Sequence, residues 1–341
     1  MPLVDLGPMS ENRSVVDLLP EKLSPSRAKE FLQCPRKFHF TTILKRTSLP
    51  TVATTRGTVA HTALERLFDH PRQERTVEVA LSYVGPAWET MIEPLKERDE
   101  VEEGTPEFRI REASRLFAEF IEPGSVKEDQ MMRSAEEYLE VMPPGSDAEV
   151  QMLRDAHQAV SNYFSIERPH NFDPEDRELY LSASTGSVTV HGFIDRLDRY
   201  MTSAGEEHWV ISDYKTGKPP NPRFKDDAFF AMRVYAWLLS QTSGVTPSYL
   251  RLIFLTQTSK ETGVVSLDVT ASTLAETQDE LERIWRDILR AAERDVWEAK
   301  TGPLCNWCDF KPECPAFGNS PTTPEEVLEA LSPSEDPESA D

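Results

Sequence analysis

Gly192-Phe193-Ile194-Asp195-Arg196-Leu197-Asp198 and Ile211-Ser212-Asp213-Tyr214-Lys215-Thr216-Gly217 read as two strands separated by a short turn. In an extended chain successive side chains point to opposite faces, so Asp213 and Lys215 share a face and Tyr214 points the other way. If the two strands pair, Asp195, Asp213 and Lys215 converge as two carboxylates and one ammonium. Metal-assisted phosphodiester hydrolysis needs that combination. Carboxylates hold Mg2+ or Mn2+ and leave positions for water and phosphate. The lysine orients the nucleophile or stabilises the charge that develops. An isolated Asp-x-Lys is more often a surface cross-strand pair, so its companions carry the weight.

Those companions lie in both directions. Residues 178–183 and 188–197 alternate like a meander about a Thr185-Gly186 turn, and Glu178, at its start, offers a third carboxylate. Residues 209–215 make a third strand, 227–239 an amphipathic helix, 249–255 a fourth strand and 264–269 an edge strand. A long helix over 274–292 buries Leu274, Leu281, Ile284, Trp285, Ile288 and Leu289. Upstream, Ser24-Pro25 is a helix start with Ser24 as N-cap. A helix over 54–68 carries a stripe of Val59, Ala60, Leu64, Leu67 and Phe68. It places His61 one turn after Gly57, a residue that permits close packing on another element. Residues 1–22 read as a flexible N-terminal arm, and 70–160 as an acidic helical insertion broken by prolines. Residues 318–341 read as a disordered acidic tail. Strands followed by a helix and another strand make a mixed α/β core.

The formal net charge is −22, from 37 basic and 59 acidic residues. Spread evenly, that charge would repel a polyanion. It is not spread evenly. Residues 93–149 hold 17 acids against 7 bases, residues 319–341 hold 7 acids and no base, and the rest of the chain stands at −5. Nucleic acid is therefore not excluded. No apolar run of membrane-spanning length and no secretory signal pattern is present, so a cytoplasmic protein without a membrane partner is expected.

The chain has four cysteines. Cys305, Cys308 and Cys314 form a C-x2-C-x5-C cluster, and Cys34 stands far upstream before Pro35. Four thiolates make a closed tetrahedral sulfur site, which suits either zinc or an iron–sulfur cluster.

Taken together, Gly57-x-x-x-His61, Glu178, Gly192-x-Ile194-Asp195-Arg196-x-Asp198 and Asp213-x-Lys215-Thr216-Gly217 resemble the successive motifs of PD-(D/E)XK nucleases. The RecB/Cas4-like exonucleases are the group most alike, and the likeness spans residues 23–317. It implies a restriction-endonuclease-like mixed sheet core flanked by helices. It further implies His61, Asp195 and Asp213 as ligands of Mg2+ or Mn2+, Lys215 as the catalytic lysine and Glu178 as an auxiliary acid. One cysteine near the N-terminus and three after the last helix resemble that group's staple, in which a 4Fe-4S cluster held by Cys34, Cys305, Cys308 and Cys314 ties the ends of the domain together. The family usually carries a Gln four residues before a Tyr on the helix after the lysine. Here Tyr235 is in place but position 231 is Ala, a departure that bears on rate or substrate preference more than on metal binding.

Basic residues collect near the motifs, at Arg36, Lys37, Lys45, Arg46, Arg56, Lys218, Arg223 and Lys225. As a strip they would track a DNA backbone, with Phe224 available for stacking and Phe229 and Phe230 in the core. No signature of base-specific reading is present, so sequence-tolerant binding of single-stranded DNA or DNA ends is expected. No nucleotide-phosphate loop is present either, so work on long duplexes would need a separate helicase or repair partner. The expectation is a metal-dependent DNA exonuclease of repair or recombination. The alternative is a non-catalytic or weakened DNA-binding subunit of a helicase–nuclease or CRISPR-adaptation complex.

Overall fold

The strands form one mixed sheet of six among the described residues: β1 (Lys22–Leu23), β2 (Asp176–Ser184), β3 (Thr189–Met201), β4 (Glu207–Lys215), β5 (Tyr249–Phe254) and β6 (Val264–Asp268). The structure is a computed structural model that describes residues 14–46, 48–92 and 135–318. The long β3 organises the sheet. β2 runs antiparallel along one side of it, from Ser184 opposite Thr189 to Asp176 opposite Leu197. On the other side β1 pairs in parallel at Thr189 and Val190. Further along that side β4 pairs antiparallel, from Arg196 opposite Ser212 to Met201 opposite Glu207. On that side, the stretch 191–195 between β1 and β4 has no strand beside it among the described residues. β4 and β5 are parallel, and β6 closes the far edge antiparallel to β5.

Helices cover both faces, as a partly parallel sheet requires. The helices used below are α1 (Pro25–Gln33), α2 (Val52–Leu67), α3 (Val77–Ser82), α4 (Val84–Ile92), α5 (Ala135–Val141), α6 (Asp147–Ile166), α7 (Lys225–Ser243) and α8 (Ala271–Arg294). On one face α1, α7 and α8 pack over Val190, Ile194, Ile211, Leu250 and Leu252. On the other, α2 to α6 pack over Tyr214, Ile253 and Leu255. The alternation of β5 shows the reason for this division: Leu250 and Leu252 go to the first core, and Ile253 and Leu255 to the second.

Local chemistry sets the helix starts. Ser24 caps α1 through its side chain, with Pro25 at the first helical position. Thr51 caps α2 and Thr270 caps α8. The Thr185-Gly186 turn closes the meander, with Gly186 at φ 106°, where a side chain would be strained.

Two expected boundaries differ from the structure. Residues 14–22, read as part of a loose arm, form a short capped turn and β1. Val15, Val16, Leu18 and Leu19 pack against the first core, so burial of apolar side chains fixes this segment. The described parts of the expected 70–160 insertion supply much of the layer over the second face. Its boundary at 160 falls inside α6, whose Met152, Ala156, Val160, Tyr163 and Ile166 make one continuous buried stripe. The remainder of the arm (1–13), much of the acidic stretch (93–134) and the tail from 319 lie outside the described residues. Among the described residues no helix is long and apolar enough to cross a membrane.

Candidate active site

The site forms where β3 and β4 part. Their last paired residues are Arg196 and Ser212. One step further the strands separate, and the Tyr214 backbone N–H, with no strand carbonyl to meet, donates to Asp195 Oδ2 at 3.2 Å. The Tyr214 carbonyl lies 2.7 Å from His61 Nε2. A carbonyl only accepts, so Nε2 carries the proton and Nδ1 faces Asp195 Oδ2 at 3.3 Å. The main chain of one β4 residue thus fixes both His61 and Asp195. α2 reaches this point because Gly57 lets it approach: a Cβ there would stand 3.3 Å from Thr216 Oγ1. Arg56 adds a hydrogen bond of 2.9 Å to the Thr216 carbonyl.

Asp213 and Lys215 share a face of β4, and Lys215 Nζ lies 2.6 Å from Asp213 Oδ2. Glu178 follows Arg177, which is paired with Arg196, and precedes Leu179, which is paired with Ile194. This register sets it opposite Asp195. Its φ of 48° is uncommon for a residue with a side chain. The pleat of β3 changes at the same level: Ile194 lies in the first core, whereas Arg196, two residues on, bonds Tyr163 in the second. His61, Glu178, Asp195 and Tyr214 line a solvent-open cavity of about 240 Å3.

The electrostatics follow from crowding. Burial, then the charge of Asp213, pushes Asp195 up to about 6, with Glu178 acting in the same direction and His61 and Lys215 against it. Burial works against the Lys215 ammonium, yet Asp213 and Asp195 outweigh it and raise this amine. Tyr235 is pushed up by burial and by the charges of Asp213, Asp195 and Glu178. Among the described residues no group of three or more His, Cys, Asp or Glu side chains already encloses an ion position. His61 adjoins Asp195, Asp195 feels the charge of Asp213, and Lys215 stands against Asp213. The donor set still suits a hard divalent cation: an imidazole and two carboxylates, of which Asp195 is raised by burial and by the charge of Asp213.

Sequence reasoning missed what supports the site from behind. Arg196 is fully buried on the α6 side of the sheet. It donates to Glu167 at 2.8 Å, to the Tyr163 hydroxyl at 3.1 Å and to the Tyr214 hydroxyl at 2.6 Å. It also pairs with Asp198 at 3.0 Å, and Arg251 joins from β5 at 3.2 Å from Glu167 and 2.7 Å from Asp198. The residue whose main chain holds His61 and Asp195 is therefore anchored by its side chain on the second face, opposite Asp213 and Lys215. Alternation along β3 would have sent Arg196 to the face of Ile194, and nothing in the sequence connected it to Glu167 or Arg251.

All four cysteines, free of disulfides, line a second solvent-open cavity of about 320 Å3 together with Arg36 and Lys37. Burial raises the Cys308 thiol, and Cys34 and Cys305 add to the shift, so the upstream cysteine does stand beside the C-terminal group. Several of the basic residues already have acidic or sulfur neighbours. Arg46 pairs with Glu313 at 3.4 Å and Arg56 with Asp155 at 3.7 Å, while Arg36 and Lys37 face the cysteines. Phe224 is exposed, and Phe229 and Phe230 are buried.

A family model described as the PD-(D/E)XK nuclease superfamily matches residues 22–315. Among solved structures, the crystal structure of a provisionally assigned exonuclease from Eubacterium rectale is similar at 11% identity and a TM-score of 0.42, covering 92% of this chain and 94% of that one. No curated protein matches the chain.

Proposed function

The chain belongs to the PD-(D/E)XK nuclease superfamily, and from that premise we propose that it is a metal-dependent DNA exonuclease of RecB/Cas4-like type. Its substrate is single-stranded DNA or DNA ends, cut without sequence preference in repair or recombination in the cytoplasm, with a separate helicase where long duplexes are opened. The observation that carries this reading is the meeting of His61, Asp195, Asp213 and Lys215 at the point where β3 and β4 part. Asp195, Asp213 and His61 would hold Mg2+ or Mn2+, which supplies Lewis acidity at the phosphate and acidifies water. Lys215 Nζ donates to the attacking water or to the oxygen that gains charge. Tyr214 keeps Asp195 and His61 in register through its N–H and carbonyl. Glu178 adds negative potential, and Tyr235 backs the carboxylates.

The test is labelled single-stranded DNA incubated with wild type, Asp213→Ala and Lys215→Ala in Mg2+ and in Mn2+. Wild type should release nucleotides, and each variant should lose at least about a hundredfold in rate. Equal rates in all three proteins, or binding without cleavage in any divalent metal, would reject the reading. The second of those outcomes leaves a DNA-binding subunit.

The nuclease domain on this reading is 23–317, closed by a 4Fe-4S cluster on Cys34, Cys305, Cys308 and Cys314. The common cavity and the sulfur-only donor set support it. The cluster's role is structural: it closes a loop of about 270 residues and so limits the unfolded chain. Anaerobically purified protein should be brown, with four iron atoms per chain, and Cys34→Ser should lose both colour and iron. A colourless protein with one zinc per chain would overturn the assignment.

A further inference from the structure

Lys29 stands at the same site and has no part in the mechanism above. α1 lies along α7, and two contacts define the crossing. Near the start of α1, a Cβ placed on Gly192 would lie 2.6 Å from Tyr235 Cε1 and 3.6 Å from Pro25 Cδ, so the two helices meet over β3 there. One turn along α1, Lys29 Nζ donates to the Asp227 carbonyl at 3.1 Å. Residues four apart share a helix face. Pro25 and Lys29 therefore lie on one face of α1, and Asp227, Ala231 and Tyr235 on one face of α7. That face of α7 lies over β3, where the Tyr235 ring meets Gly192 three residues before Asp195.

Between Asp227 and Tyr235 this face offers only the methyl group of Ala231. The polar group that arrives at this turn comes from the neighbouring helix, as the Lys29 ammonium. Burial and the charge of Lys215 lower the Lys29 amine, with Asp227 and Asp213 acting against them, so the two amines share one neighbourhood. Lys215 has the Asp213 carboxylate at 2.6 Å, whereas the hydrogen bond of Lys29 goes to a carbonyl. A charged phosphate oxygen is a stronger acceptor for an ammonium than a backbone carbonyl.

Resting on the nuclease reading, we propose that Lys29 is a substrate-binding residue that contacts a backbone phosphate at the catalytic centre, exchanging the Asp227 carbonyl for a phosphate oxygen. Lys29→Gln keeps a donor for Asp227 but removes the charge, and Lys29→Arg keeps both. Fluorescence anisotropy of a labelled single-stranded oligonucleotide in Ca2+, over a series of salt concentrations, reads the contact without cleavage. Lys29→Gln should bind about tenfold more weakly. The slope of log affinity against log salt should fall by about 0.7, the value of one phosphate contact to a single strand. Lys29→Arg should restore both quantities, and the thermal midpoint should stay at that of wild type. An unchanged slope and affinity in Lys29→Gln would overturn the proposal and leave Lys29 as a tie between α1 and α7. Cleavage by wild type in Mn2+ is scored separately. Failure there rejects the nuclease reading, whereas the anisotropy difference alone decides Lys29.

Discussion

Arg196→Met is expected to lower the unfolding free energy by about 3–5 kcal/mol, the range for removing one partner from a buried ion-pair network. Arg196 is fully buried, and its guanidinium lies 4.9 Å from the Phe172 ring centre and 5.8 Å from that of Phe68. Methionine fills much of the same volume, so lost packing contributes little and the measurement isolates the charge. Two carboxylates, Glu167 and Asp198, would then share the single remaining cation, Arg251. The hydroxyls of Tyr163 and Tyr214 would lose their donor.

The pH dependence has a definite sign. Burial pushes Glu167 up, but Arg196 and Arg251 outweigh it and hold its carboxyl below the ordinary range. A depressed folded pKa contributes stability that is present above the unfolded value and lost as pH falls through the folded one. The difference between wild type and Arg196→Met should accordingly be largest near neutrality and shrink below about pH 4.5. Urea denaturation at pH 7.5 and at pH 4 measures both quantities. A difference under about 1 kcal/mol at pH 7.5 would mean that the network is energetically idle.

This network also marks the limit of what the amino-acid sequence discloses. Asp213 and Lys215 sit two apart in a strand, and Gly57 and His61 four apart in a helix, so elementary periodicity brings each pair to one face. The strands from Glu178 to Lys215 are legible for the same reason, because apolar and polar residues alternate around marked turns. β1 is only two residues long and pairs in parallel with a strand far along the chain, which no local pattern encodes. The left-handed backbone at Glu178 is equally silent, because nothing in its neighbours demands it. Glu167, Arg196 and Arg251 come from α6, β3 and β5 and meet only once the sheet has formed. Lys29 reads as an ordinary solvated lysine until α7 is laid beside it. The cysteines are the opposite case: they are few enough that chemistry alone groups them, and the fold places Cys34 beside the other three.

Asp195→Asn should act in opposite directions on activity and stability. The carboxylate is the proposed cation ligand, so cleavage should fall by about a thousandfold or more. In chelator the same change should stabilise the fold. Burial and Asp213 hold Asp195 at about 6, above the ordinary 3.8. A carboxyl with a raised folded pKa binds its proton more tightly in the native state, so native stability declines as pH climbs from about 4 to about 6 and stays reduced above that. Asparagine removes the charge and keeps an oxygen to accept the Tyr214 N–H. The gain at pH 8 is of the order of 1–3 kcal/mol, from the size of the shift discounted for its sharing with Asp213. It should vanish near pH 4, where wild type is itself protonated. Saturating Mn2+ should reverse the ranking, because an ion that binds only the native wild type stabilises it by mass action. Thermal unfolding of both proteins in EDTA and in Mn2+, at pH 8 and pH 4, gives the four comparisons. A wild type that is the more stable protein in EDTA at pH 8 would show that the carboxylates do not repel. An Asp195→Asn variant that keeps its full advantage over wild type in Mn2+ would show that Asp195 does not hold the ion. The two halves of the prediction are tied together: the repulsion that weakens the fold at neutral pH is the same charge density that would draw a cation into the site.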